Sequence, residues 1–276
     1  MPQHRNPILI TGCSTGIGRA SADLLVKAGY TVYATARREE TLAELAAAGA
    51  RTIRLDVTDE ESMRAAVATV AQAHGSVGTL INNAGYGEYG TIEETDLDAV
   101  RRMFETNVFG LARLTQLCLP GMRAAGGGLV LNVGSMGGRI AFPVGGYYHA
   151  TKYAVEGLTD ALRNEVREFG IAVSLIEPGP IRTNFEESIN SSAAVDNPNS
   201  PYAALVTKVQ AVNADAYASK VLSVGPEAVA RTILKAVEAQ APKSRYLVTP
   251  AARAMVHARR LGGDRVWDAI IGRQFR

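Results

Sequence analysis

The chain has 276 residues, 47% hydrophobic and 20% charged, the make-up of a globular protein with room for one full α/β core. Its 29 basic and 27 acidic residues leave a net charge of only +2, which gives no electrostatic case for nucleic acid or an anionic membrane as partner. Two cysteines, Cys13 and Cys118, and four scattered histidines suggest neither a disulfide framework nor a metal site.

The first predicted strand, Ile8–Thr11, starts too early to leave room for a signal peptide. No apolar run approaches the ~20 residues of a membrane span, so a cytoplasmic location is expected. The strand runs into Thr11-Gly12-Cys13-Ser14-Thr15-Gly16-Ile17-Gly18 and a helix predicted over Ile17–Ala28. Glycines permit a tight turn and bring backbone N–H groups close to a pyrophosphate, and the helix N-terminus adds partial positive charge there. Gly12, Ser14, Thr15, Gly16, Ile17 and Gly18 are therefore candidate nucleotide contacts. A glycine turn can also serve backbone geometry alone. Its place at the first strand–helix junction favours the nucleotide.

The second strand, Thr31–Ala36, ends in Ala36-Arg37-Arg38 with no acid. A carboxylate there would hold a ribose 2′-hydroxyl and repel a 2′-phosphate, whereas arginine binds the phosphate with paired hydrogen bonds. NADP(H) is the expected cofactor, with Arg37 the first contact and Arg38 the second. The alternative for Arg38 is a solvated residue opening the helix predicted over Glu39–Ala48. After the third strand, Thr52–Leu55, Asp56 and Val57 can meet the adenine, although an Asp there is also a common turn former. A helix over Glu60–His74 leads to the fourth strand, Thr79–Asn82, and then to Asn83, Ala84 and Gly85, which suit close approach to a ribose.

A helix predicted over Asp96–Leu119 carries the apolar stripe Val100, Met103, Phe104, Val108 and Leu111, and Asn107 falls within it. A buried amide needs partners. It can hold a water leading from Lys152 to solvent, or be a structural asparagine. Ser135, past the fifth strand Leu129–Val133, stands at the sheet edge where ligands bind; it can donate to a substrate oxygen or simply cap its turn.

The helix predicted over Tyr148–Phe169 opens with Tyr148-His149-Ala150-Thr151-Lys152. Tyr148 and Lys152 are four residues apart and share a face, whereas Tyr147 has Thr151 as its partner. A nearby ammonium favours tyrosinate and should lower the phenol pKa from ~10 towards neutrality, making it a proton donor or acceptor. An exposed Tyr–Lys pair is the bland alternative. A Ser–His hydrolase is disfavoured: no nucleophile elbow is present, and His149 is expected to face away from Tyr148 and Lys152. Beyond the sixth strand, Ala172–Glu177, residues 186–200 read as a loop. A short helix should follow, with Tyr202, Leu205, Val206, Val209 and Val212 on one face, then a helix over Pro226–Ala239 and a seventh strand, Tyr246–Thr249. The whole, residues 1–276, is expected to be one α/β domain: a doubly wound parallel seven-stranded sheet with a helical substrate lid at about 185–224 and a C-terminal extension at about 250–276. The arginines of that extension (Arg253, Arg259, Arg260, Arg265) suggest a solvated face.

In this order and spacing the motifs resemble the short-chain dehydrogenase/reductase family over nearly the whole chain. The resemblance places the family's catalytic tetrad on Asn107, Ser135, Tyr148 and Lys152. Its Pro-Gly turn falls on Pro178-Gly179-Pro180-Ile181-Arg182-Thr183, so Pro178, Gly179, Ile181 and Thr183 should border the nicotinamide. Val32-Tyr33-Ala34-Thr35 and Ala154–Leu158 look like the branch holding 17β-hydroxysteroid and retinol dehydrogenases. That branch implies an apolar substrate, so the expected reaction is hydride transfer between NADP(H) and an apolar ketone or aldehyde and its alcohol; the family resemblance implies a homodimer or homotetramer paired through the helices of Asn107 and Tyr148. Thr15 stands where some NADP-users carry Lys or Arg. Phe142, Val144, Phe185, Tyr202 and Leu205 are expected to wall the substrate. The competing readings are a non-catalytic NADP-binding sensor or scaffold, and an epimerase or dehydratase using the same Tyr–Lys chemistry.

Overall fold

A computed structural model describes residues 5–183, 199–219 and 221–275. Seven strands form one sheet: β1 (Ile8–Ile10), β2 (Val32–Ala36), β3 (Arg51–Arg54), β4 (Thr79–Asn82), β5 (Gly128–Val133), β6 (Ile171–Glu177) and β7 (Arg245–Leu247). Their order is β3-β2-β1-β4-β5-β6-β7 and every pair is parallel. Strands β1, β4 and β5 are buried at every residue. A strand covered on both faces needs apolar residues in succession, which is why these runs stand out in the sequence.

The helices are α1 (Gly16–Lys27), α2 (Ala43–Ala47), α3 (Glu60–His74), α4 (Leu97–Phe104), α5 (Leu111–Ala124), α6 (Gly146–Glu165), α7 (Ala203–Ala218), α8 (Pro226–Glu238) and α9 (Pro250–Phe275). Strand alternation divides the core in two. Ile8 and Ile10 face a layer holding Leu25 of α1 and Ile233 of α8. Leu9 faces the other way, onto Met63 of α3 and Leu114 of α5. The strand order reverses between β1 and β4, and the crevice above such a switch point is where doubly wound sheets bind ligands.

Three elements differ from the sequence reading. The single helix expected over Asp96–Leu119 is α4 and α5 joined by a π turn, Glu105–Gly110. At Gly110 a Cβ would lie 2.4 Å from the Val57 carbonyl oxygen, so only glycine lets this turn approach the β3 side. The helix expected over Glu39–Ala48 is a 3₁₀ turn followed by the short α2. The C-terminal extension is a helix, α9, broken at Gly263 (φ 65°), and it buries Val256 and Trp267 against Ile140. Among the described residues no helix is long and apolar enough to cross a membrane.

Candidate active site

The turn after β1 is held by backbone and side chain together. Gly12 and Gly16 adopt the left-handed region, at φ 72° and 57°. A Cβ on Gly18 would lie 2.2 Å from the Gly12 carbonyl oxygen, a position only glycine tolerates. The Thr11 hydroxyl accepts from the backbone N–H of Asn83 and of Ala84, both at 3.0 Å. Asn83 Nδ2 returns bonds to the carbonyls of Thr11 (2.9 Å) and Gly12 (3.1 Å). The turns after β1 and β4 are thus stapled together at the switch point. Helix α1 then starts with no side-chain cap and no acidic residue in its first turn. Its first N–H groups and positive dipole end remain open to an anion, which fits a dinucleotide pyrophosphate.

A cavity of about 1030 Å³ crosses the strand ends above this turn. Gly12, Ser14, Thr15, Gly16, Ile17, Arg37, Asp56, Val57, Asn83, Ala84 and Gly85 all line it, as do Pro178, Gly179, Ile181 and Thr183. Thr183 sits over the glycine turn, its Cγ2 3.3 Å from where a Gly16 Cβ would stand. Gly18 lies beneath the wall as packing. Asp56 lines the cavity and is also a turn former: its carboxylate accepts from Thr58 N (2.9 Å) and Thr58 Oγ1 (2.8 Å). Arg38 is expected as the second nucleotide contact. It stands off the wall, exposed, and its carbonyl accepts from Thr41 Oγ1 at 2.6 Å as the 3₁₀ turn begins. Arg102 of α4 is the cavity's other arginine and was not expected; among the described residues neither it nor Arg37 has an ion-pair partner.

At the opposite end α6 delivers Tyr148 and Lys152. Both are buried, at 7% and 8% exposure, so the exposed Tyr–Lys alternative does not hold. The Ser135 hydroxyl hydrogen-bonds the Tyr148 phenol. Lys152 Nζ sits 5.8 Å from the Tyr148 ring centroid and donates to the Val133 carbonyl at 3.1 Å. The expected acidic phenol is not what this geometry gives. Burial pushes Tyr148 up to about 12, against the lowering effect of Ser135, and burial pulls Lys152 down to about 8. Desolvation disfavours both charged forms.

Asn107 lies in the π turn and below the cavity wall. Its Nδ2 donates to Tyr86 O (2.8 Å) and Thr151 Oγ1 (3.2 Å), and its Oδ1 accepts from Tyr86 N (3.1 Å). The side chain therefore ties the turn after β4 to α6. A Cβ on Gly85 would stand 3.0 Å from Asn107 Oδ1 and 3.8 Å from Lys152 Nζ, so glycine keeps the two groups adjacent.

A model of the short chain dehydrogenase family matches residues 6–194. The chain belongs to that family. It is 37% identical over 96% of its length to an uncharacterized oxidoreductase, YbbO, of Escherichia coli K12, covering 93% of that protein. It is 36% identical over 89% of its length to human 17-beta-hydroxysteroid dehydrogenase type 1, covering 78% of it. A solved short chain dehydrogenase/reductase from Burkholderia phymatum, in complex with NAD, superposes with a TM-score of 0.78 at 27% identity over 95% of both chains.

The rest of the cavity is apolar and drawn from distant segments. Tyr89 stacks on Tyr148 with centroids 5.5 Å apart, in a cluster with Met103, Tyr86 and Tyr217. Val209, Val212, Ala216 and Tyr217 of α7 and Met255 and Phe275 of α9 complete the wall. Of the expected substrate wall, Phe142 lines the cavity and Phe185 lies outside the described residues. Val144, Tyr202 and Leu205 sit behind the wall, packed with Val206, Val209 and Phe275. The apolar face of α7 is real: Tyr202, Leu205 and Val206 pack it down, and Val209 and Val212 of the same face also line the cavity. His149 also corrects its reading: it lines the cavity, with Nδ1–H donating to Gly137 O at 3.0 Å. That bond favours the charged ring, but burial outweighs it and lowers the His149 pKa to about 4. In a helix's first turn the cavity wraps more than one face, so facing away from Tyr148 does not remove a side chain from the site. No local spacing announces Tyr89, Tyr217, Met255 or Phe275.

Proposed function

We propose that the protein is an NADP(H)-dependent reductase of apolar ketones or aldehydes, running the reverse alcohol oxidation at the same site. The observation that carries this reading is the buried Ser135–Tyr148 hydrogen bond at the apolar end of a cavity whose other end is the open N-terminus of α1. The nicotinamide, when bound, supplies or accepts the hydride. Ser135 and Tyr148 hold the carbonyl oxygen between two hydroxyls, and Tyr148 passes its proton to that oxygen as the carbon is reduced. Lys152, beneath the ring, carries the positive charge that makes the loss of the Tyr148 proton tolerable. Asn107 positions α6 against the turn after β4. Pro178, Gly179, Ile181 and Thr183 border the nicotinamide, and Asp56, Val57, Asn83, Ala84 and Gly85 the adenosine.

NADP(H) over NAD(H) rests on Arg37 in the wall and the missing acid at the end of β2. One solved relative carries NAD, so this choice is tested directly. Wild type should bind NADPH at least tenfold more tightly than NADH, and Arg37→Ala should erase the difference; equal binding by wild type ends the NADP(H) reading. Oxidation of NADPH by a panel of apolar ketones tests the chemistry. Tyr148→Phe should lose about a thousandfold in kcat with nucleotide affinity unchanged. If wild type binds NADPH yet is inert on every ketone and alcohol, a nucleotide-binding sensor replaces the enzyme.

We also read the chain as one domain with a substrate lid at about 185–224, as the α7 wall supports. Assembly as a homodimer or homotetramer is supported by apolar residues left exposed on the helices of Asn107 and Tyr148 and in the π turn between α4 and α5. These are Leu97 (53%), Phe109 (57%), Tyr153 (45%) and Leu158 (41%). Sedimentation as a monomer would refute it.

A further inference from the structure

Behind the reacting side chains two acids meet. Glu156 stands on α6 one helical turn after Lys152, and Glu177 ends β6 immediately before the Pro178–Gly179 turn. Glu177 is fully buried and Glu156 nearly so. The Glu177 carboxyl raises the Glu156 pKa, second only to burial. One oxygen of each, Glu156 Oε1 and Glu177 Oε2, is buried with no hydrogen-bond donor among the described residues. Carboxylates only accept, so two of them can bond only if a proton lies between them.

The surrounding charges hold the outer oxygens and leave the inner pair to itself. Arg245 of β7 donates to Glu156 Oε2 at 3.0 Å and also pairs with Asp160 of α6. Arg139, after β5, reaches Glu177 Oε1 at 3.5 Å. Arg163 is taken up by Asp160 at 2.5 Å, and the Tyr153 phenol, Lys152 and Arg259 of α9, which pairs with Asp264, also stand on this side of α6. Backbone contacts tie the pair to the site. The Pro178 carbonyl accepts from Met136 N at 2.8 Å, next to Ser135, and a Cβ on Gly138 would be 3.0 Å from Glu156 Cγ and 2.8 Å from the Lys152 carbonyl.

We propose that Glu156 and Glu177 share one buried proton, and that this acid–carboxylate bond is a positioning device holding α6, with Tyr148 and Lys152, against the Pro178–Thr183 turn. The proton and stability parts do not depend on the proposed function; only the kinetic part rests on the proposed catalytic roles of Tyr148 and Lys152.

Burial first, and then Glu177, push Glu156 up from 4.5 to about 8. Between those values the native protein holds a proton that the unfolded chain has lost, so stability falls as pH rises through this window. Lys152 acts in another window with the opposite sign. Its pKa is lowered from 10.5 to about 8, so stability rises with pH between those two values. The two contributions therefore separate along the pH axis.

The experiment follows the melting temperature of wild type, Glu156→Gln, Glu177→Gln and Glu156→Leu from about pH 5 to pH 9, with NADPH affinity and kcat/KM at each pH. Infrared spectra should show a protonated-carboxyl stretch in wild type below about pH 8 that is absent from Glu156→Gln. Glu156→Gln supplies a permanent donor in place of the proton. It should keep NADPH affinity and kcat within about threefold at pH 7 and lose the wild-type decline in melting temperature towards pH 8. Glu156→Leu breaks the bond and should lose about tenfold in kcat/KM, restored in part by glutamine. Wild type and Glu156→Gln with the same pH slope and the same infrared spectrum would overturn the shared proton. Glu156→Leu that folds with unaltered kcat/KM would overturn the positioning role. If wild type turns over no ketone, the kinetic arm fails with the proposed function, while the infrared and melting arms still decide the proton.

Discussion

The two ends of the cavity are built differently. The nucleotide end is made of short turns at strand tips, each local in sequence, braced by Thr11 and Asn83 and by glycines that leave no room for a side chain. The substrate end is made of α7, α9 and the tyrosine cluster, brought together over long stretches of chain. Backbone geometry fixes the first, and its tolerance of change is small. Side-chain packing shapes the second, and it can be re-cut without disturbing the sheet. One fold can thus keep a constant nucleotide grip while its substrate wall varies.

The sharpest way to break that contrast is at Gly18. A methyl group there meets the Gly12 carbonyl carbon at 2.8 Å as well as its oxygen at 2.2 Å, with Asn83 Nδ2 at 2.5 Å. Neither backbone atom can move without opening the staple between β1 and β4. Gly18→Ala should cost about 3 kcal/mol, lowering Tm by roughly 6–12 °C for a chain of this size, and NADPH affinity should fall with it. A variant that melts like wild type and binds NADPH normally would show that the turn is softer than its geometry implies.

Lys152 sharpens the contrast from the reacting end. Its ammonium is buried with the Val133 carbonyl as hydrogen-bond partner and is held near a pKa of about 8, so at neutral pH its charge opposes folding. Lys152→Met should raise stability by on the order of 2 kcal/mol while turnover collapses. The gain should shrink above about pH 8, where wild-type Lys152 is already neutral. Calorimetry at pH 7 and pH 9 checks both the sign and the trend. A loss of stability at pH 7 would mean that the lysine is structural.

How far each end was legible follows from the same physics. Strands β1, β4 and β5 are covered on both faces, so their apolar runs were unmistakable, and all seven strands lie within a residue or two of where the sequence puts them. Tyr148 and Lys152 were found because helical spacing links them. Asn107 was found by its place in an apolar stripe, although that stripe is interrupted by a π turn that a periodic reading cannot see. Arg37 and Arg38 are adjacent residues leaving a strand and point apart, and spacing does not say which one meets the ligand. Phe275 and Tyr217 join the wall through contacts made only in the folded chain. Glu177 read as the end of a strand, since its partner lies 21 positions earlier on another element.

At the substrate end, Phe275→Ala is the matching test for Gly18. Phe275 packs on Val144, Val206 and Val209 and lines the cavity near the end of α9. Its removal should raise KM for a bulky apolar ketone about fivefold, roughly the 1 kcal/mol of a half-buried aromatic ring. NADPH affinity should stay within twofold and Tm within about 2 °C. A parallel loss of NADPH binding would join the two ends that the fold keeps separate.

The smallest effect belongs to Arg38, and it asks how local the nucleotide grip is. Arg37 and Arg38 leave the same strand, but only Arg37 reaches the cavity, while Arg38 opens the 3₁₀ turn through its carbonyl. A charge outside the wall is screened beyond about 8 Å at physiological ionic strength. Arg38→Ala should therefore weaken NADPH less than twofold in 150 mM salt, and Arg37→Ala by about tenfold or more. Lowering the salt should bring out a modest Arg38 contribution, because the longer screening length lets its charge reach the phosphate. Equal losses for the two variants at physiological salt would mean that the 2′-phosphate is held by the field of the whole strand end. The neat separation of one arginine in the wall from its neighbour in the turn would then carry no energetic weight.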